Sequence, residues 1–87
     1  MDSSLNPRNA VRAITLRRPY AIVYCALDRG EWIVQPREVA GSFRLSKTEF
    51  RMRYCLESDC PPKIKALFEG IPTFMQWRMV LRAGGGR

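Results

Sequence analysis

The chain has 87 residues and carries 15 Lys and Arg against 8 Asp and Glu, a formal charge of +7, with 46% hydrophobic and 26% charged residues. That length makes one domain with a small core, and the apolar fraction is too high for disorder. The sequence holds no histidine, so the commonest general base, metal ligand and pH switch are all missing.

The first ten residues, MDSSLNPRNA, read as a flexible lead, residues 11–82 as a single small domain, and residues 83–87 as a flexible glycine-rich tail. Val11 to Leu16 is rich in β-formers and predicts a first strand. Arg17-Arg18-Pro19 breaks it, because Pro19 lacks an N–H and disfavours helix at Arg18. Tyr20 to Leu27 (YAIVYCAL) predicts a buried strand. Asp28-Arg29-Gly30-Glu31 is a turn in which Gly30 is free to take positive φ, and Trp32 to Gln35 returns, giving a β-hairpin. Gly41 to Leu45 predicts a short strand with Phe43 and Leu45 on one face.

Ser46-Lys47-Thr48-Glu49 fits two readings. It matches a capping box, which would start a helix, and it also suits a hairpin loop. The following residues alternate: Phe50, Met52, Tyr54 and Leu56 on one side, Arg51, Arg53, Cys55 and Glu57 on the other. That alternation favours a strand over Phe50 to Glu57. Pro61 and Pro62 suit the first positions of a helix. Lys63 to Glu69 places Ile64, Leu67 and Phe68 at helical spacing, and Gly70 stops the helix. Thr73 to Arg82 alternates again and predicts a final strand, although Phe74, Trp77 and Leu81 also fit a helical period. The expected architecture is therefore α+β: a mostly antiparallel, curved β-sheet of about five or six strands with one short α-helix packed on its apolar face. The expected core comprises Phe43, Leu45, Phe50, Met52, Tyr54, Leu56, Ile64, Leu67, Phe68, Met75, Trp77, Met79 and Leu81.

The three cysteines, Cys25, Cys55 and Cys60, are too few and wrongly spaced for a closed zinc site and odd in number for a disulfide framework, so they read as buried or half-buried thiols in a reducing compartment. No metal or cofactor is expected. The polar start and the absence of a run of roughly twenty apolar residues point away from a signal peptide or a membrane span, and the expected location is intracellular, cytoplasmic or nuclear. The acidic residues are scattered, no base stands near a cysteine or serine, and the glycine run at residues 84–86 precedes no helix. The sequence argues against an enzyme.

The basic excess is mostly arginine, twelve against three lysines, and arginine pairs bidentately with phosphate and stacks on rings. On an extended chain, residues i and i+2 project from one face about 6.6–7 Å apart, close to a phosphate repeat. Arg44, Arg51, Arg53, Arg78 and Arg82 would then share a sheet face, with Phe74 offering a stacking surface for a base. Arg17, Arg18 and Tyr20 form a second basic element on a loop. The expected function is binding of RNA or single-stranded DNA, with arginines neutralising phosphates. The rival reading is a protein–protein interaction module, accessory subunit or inhibitor. In that reading Trp32, Ile33 and Val34, consecutive and apolar, face a partner with an acidic surface or a second copy in a homodimer.

With Gly30 in a hairpin and Leu45-Ser46 before Phe50, the order of strands followed by a helix is similar to the β-β-β-β-α units of Whirly-type and PUR-type single-strand binders. That likeness covers about half the chain and implies a helix over Lys47 to Glu57, where the alternation favours a strand. No residue role is carried over from it.

Overall fold

The β-branched and aromatic residues of the first half form a four-strand meander. It comprises β1 (Val11–Thr15), β2 (Ile22–Asp28), β3 (Glu31–Pro36) and β4 (Phe43–Ser46). The computed structural model describes the backbone of residues 5–85 and the side chains of residues 5–81. The β2–β3 hairpin turns through Arg29 and Gly30, both at positive φ (53° and 78°), the geometry whose twist matches a two-residue hairpin. A short fifth strand, β5 (Tyr54–Leu56), pairs antiparallel with β1, so the sheet order is β4-β3-β2-β1-β5. The fold is α+β, with this antiparallel sheet and, among the described residues, three α-helices.

The connection between the two edge strands is α1 (Lys47–Arg53). A flat five-stranded sheet would hold its edges about 19 Å apart. A seven-residue helix rises only about 10 Å. The sheet therefore curls, and its inner face becomes a small barrel-like core of Ala13, Val23, Cys25, Val34 and Leu45, capped by Phe50 from α1. Trp32, Tyr54 and Leu56 ring this core. The outer face carries Ile14, Ile22, Tyr24, Ala26 and Ile33, and two later elements cover it. One is α2 (Pro62–Lys65), which continues as a 3-10 turn over Ala66–Phe68 and brings Phe68 and Cys60 against Ile14 and Ile22. The other is α3 (Phe74–Gly85), whose Phe74 and Trp77 pack on Tyr24 with ring centroids 5.4 and 5.2 Å away. Leu5 is buried in the same cluster, so the end of the lead is anchored to the sheet. Residues 1–4 and 86–87 lie outside the described part.

Two expectations are overturned. The segment Phe50 to Glu57 is not one strand: the helix runs to Arg53, and only Tyr54–Leu56 is extended. The Ser46 hydroxyl accepts the Glu49 N–H at 3.1 Å and faces the Glu49 carboxylate at 3.5 Å, so the capping box outweighs the alternation. The final strand is likewise a helix. Thr73 and Gln76 exchange hydrogen bonds reciprocally, Gln76 N–H to Thr73 Oγ1 at 3.2 Å and Thr73 N–H to Gln76 Oε1 at 3.0 Å, a second capping box. The expected core loses Met52, Met75, Met79 and Leu81, which lie on the outward faces of these helices, and also Phe43 and Leu67, which are exposed. Its place is taken by the β1–β3 residues, Tyr24, Cys25 and Val34 among them.

Among the described residues, the outer covering is tied down by two polar contacts: the Tyr24 hydroxyl donates to the Pro72 carbonyl at 2.7 Å, and a larger knot forms around Arg12. Arg12 on β1 forks onto Glu57, Nε to Oε1 at 2.9 Å and Nη2 to Oε2 at 2.8 Å. Its Nη1 donates to the Ile71 carbonyl at 2.6 Å and reaches the Phe68 carbonyl at 3.3 Å. The guanidinium also lies 5.4 Å from the Phe68 ring centre. Among the described residues no helix is long and apolar enough to cross a membrane.

Candidate nucleic-acid interface

The arginines expected on one sheet face are dispersed. Arg44 does project from the outer face of β4, but Asp28 at 2.7 Å and Glu31 at 3.3 Å neutralise it, and the Asp28 hydrogen bond holds its charge most firmly. Phe74 is buried beneath α3 and has no face free for a base. Arg78 also sits on α3, lying 5.6 Å from the Phe74 ring centre, on the opposite side of the sheet from α1. The Arg82 side chain lies outside the described part. Ile33 and Val34 are 4% and 0% exposed, because the curled sheet buries both faces of β3, so the strand expected to meet a partner is interior. Trp32 alone of that trio reaches the surface.

What the fold brings together is a different set. Leu16 N–H donates to the Arg53 carbonyl at 3.0 Å, extending the β1–β5 pairing by one residue and fixing the end of α1 beside the β1–β2 loop. That loop is braced by Thr15. Its hydroxyl accepts the Ala21 N–H at 3.0 Å and shares its own proton between the carbonyls of Arg17 (3.2 Å) and Pro19 (3.4 Å). The Arg18–Pro19 peptide is cis. Arg18 lies against the exposed Tyr20 ring, 5.7 Å from its centre. Arg17, Pro19, Met52 and Arg53 line a groove of about 380 Å³. Arg51, one helical position away from Arg53's neighbour Met52, turns toward the next depression with Lys47. Among the described residues, no carboxylate is in ion-pair contact with Arg17, Arg18, Lys47, Arg51 or Arg53.

That second depression is a cleft of about 460 Å³ between α1 and the curled sheet. Leu16 is common to it and the first groove. Its wall is aromatic. Phe50 stacks on Trp32 at 4.5 Å and 17°, and on Tyr54 at 5.3 Å and 28°. Burial pushes the Tyr54 hydroxyl above its ordinary pKa, while the nearby Arg53 pulls it back. A third hollow of about 440 Å³ adjoins along Trp32 and Leu56 and ends at Lys65. The three depressions follow one another as a track, the first two sharing Leu16 and the last two Trp32 and Leu56, with Arg17, Arg53, Lys47, Arg51 and Lys65 along it.

The sequence marks Arg17, Arg51 and Arg53 of this track, with Arg18 and Tyr20 on the adjoining loop, but as two separate elements. It missed Lys47, Phe50 and Tyr54 as parts of a site. The capping box at Ser46 was the signal for them, because a helix turns Phe50 under itself and leaves Lys47 and Arg51 on one flank. The thiols stand apart from this chemistry. Burial pushes Cys25 up to about 12 and, with help from the adjacent Cys55 thiol, Cys60 up to about 11, so both are protonated in the ordinary pH range. Among the described residues no cluster of Cys, Asp and Glu is placed to hold a metal ion. No protein-family model, no curated protein and no solved structure matches this chain.

Proposed function

We propose that the protein is a non-enzymatic nucleic-acid-binding domain that takes RNA or single-stranded DNA along this track. The observation that carries the reading is the convergence of Arg17, Arg18, Arg51 and Arg53, joined by Lys47, on one surface where none of them is in ion-pair contact with a carboxylate among the described residues. Such a surface favours a polyanion, and guanidinium forks suit phosphate oxygens. A single or irregular strand fits better than a duplex, because α1 is seven residues long and lies along the sheet rather than standing clear as a major-groove reader.

If all five cations meet phosphates, log K falls with log salt with a slope of about −3.5 on a single strand. Fluorescence anisotropy of a labelled oligonucleotide at two salt concentrations measures this. Reversing Arg17 and Arg53 to Glu changes exposed side chains, so the fold should persist while binding is lost. Failure to bind at low salt, or binding indifferent to the double reversal, overturns the reading.

A second reading, a protein-interaction module, accessory subunit or inhibitor, is favoured by a different observation. Beyond Trp77, α3 leaves Met79, Val80 and Leu81 exposed, along with Met75 one turn earlier. A stable dimer in light scattering, dispersed by Met79→Glu, would be its sign.

A further inference from the structure

We propose that the cleft between α1 and the curled sheet receives one unstacked base of the bound strand, with its Asp59 rim selecting a base edge that carries N–H donors. The inference rests on the nucleic-acid reading above and adds what the strand places where.

The cleft is the size of small-ligand sites, about 460 Å³. Three rings, Trp32, Phe50 and Tyr54, follow one another along its wall at near-parallel angles, and a planar heterocycle continues such a run at little geometric cost. The polar groups at the mouth are of both signs. Lys47 and Arg51 stand ready for the phosphates flanking a base, and Asp59 is a carboxylate with no cationic partner among the described residues. A carboxylate accepts from amino and imino N–H groups of a base edge. It would repel an anionic head group, which sets a nucleobase apart from a fatty acid, the other occupant with an apolar body and a negative end. The adjoining groove at Arg17 and Arg53 takes the next phosphate, since Leu16 borders both depressions.

The test uses the whole chain and three probes: a ten-nucleotide mixed-sequence DNA strand, an abasic strand of the same length and charge, and laurate. The sequence has two tryptophans, and Trp77 lies on the outer face against Tyr24, so Trp77→Phe leaves Trp32 as the reporter in the cleft. Anisotropy on the unaltered protein gives the affinities independently of that variant. The base-bearing strand should bind at least about fivefold more tightly than the abasic one and quench Trp32, because stacking is lost with the bases. Asp59→Ala, at an exposed position, should weaken the base-bearing strand alone. Equal affinity for both strands without quenching overturns the cleft proposal and leaves the cationic track standing. Saturable quenching by laurate with equal strand affinities overturns it in favour of an aliphatic anion. If neither strand binds, the nucleic-acid reading falls with it.

Discussion

Replacing Arg12 by Ala removes the larger of two polar ties that the described residues form between the sheet and the covering elements on its outer face, and leaves the other, the Tyr24 hydroxyl donating to the Pro72 carbonyl at 2.7 Å. The fork onto Glu57 is partly screened, with side-chain exposures of 23% and 33%, and is worth about 1–1.5 kcal/mol. The 2.6 Å bond to the Ile71 carbonyl contributes about 1 kcal/mol more, while the 3.3 Å contact to Phe68 adds little. The expected loss is about 2–3 kcal/mol, a large part of the roughly 4–13 kcal/mol available to a domain of this size. In a thermal melt followed by far-UV circular dichroism this lowers Tm by about 10–20 °C. Arg12→Lys keeps the charge but not the fork and should lose more than half as much. A double-mutant cycle with Glu57→Gln should return a coupling of about 1 kcal/mol. Arg51→Ala is the control, since an exposed cation without a carboxylate changes stability by less than about 0.5 kcal/mol. If Arg12→Ala melts within about 0.5 kcal/mol of the unaltered protein, the knot is not what holds the C-terminal half in place.

Two further outcomes follow from local chemistry. Ser46→Ala removes the acceptor for the Glu49 N–H and should cost about 1 kcal/mol in urea unfolding, whereas a Ser46 in a hairpin loop would cost almost nothing. Burial holds the Cys25 thiol at about 12 in the folded chain against an ordinary value near 9, so between these limits the unfolded chain sheds a proton that the folded chain keeps. Stability is then undiminished below the lower value and declines as pH rises above it, by about 2 kcal/mol at about pH 10.5. Urea midpoints at pH 8 and at that alkaline pH should show a smaller drop for Cys25→Ala, and equal drops would assign the effect to another group.

The first half of the fold was legible because its signals agree with one another. Alternation, β-branching and an Arg-Gly turn all place β1, β2 and β3 where they stand. The second half misleads because alternation arises there without a sheet to cause it. Of Phe50, Met52, Tyr54 and Leu56, the first points inward from a helix and the second is 72% exposed, so only the last two obey a strand period for a structural reason. In α3, Met75, Met79 and Leu81 share the odd positions with Trp77, yet only Trp77 packs. Both segments open with the same local device, Ser46 with Glu49 and Thr73 with Gln76, and in both the cap, not the alternation, marks the element that forms. The candidate site depends on the first of those segments. Its cations were visible as residues, but their grouping depends on where α1 begins and on a β1–β5 contact that no local pattern announces.

That contact has a bearing on how affinity and folding are linked. A basic tail keeps its grip on a polyanion when its host protein melts, because its charges are neighbours along the chain. Here the loop pair Arg17 and Arg18 meets the cations of α1 only where the last strand has zipped onto the first, through the amide of Leu16 and the carbonyl of Arg53. Denaturant should therefore erase ligand capture and tertiary structure along one shared curve, and a chain cut short before that strand should carry all of the same arginines and hold nothing.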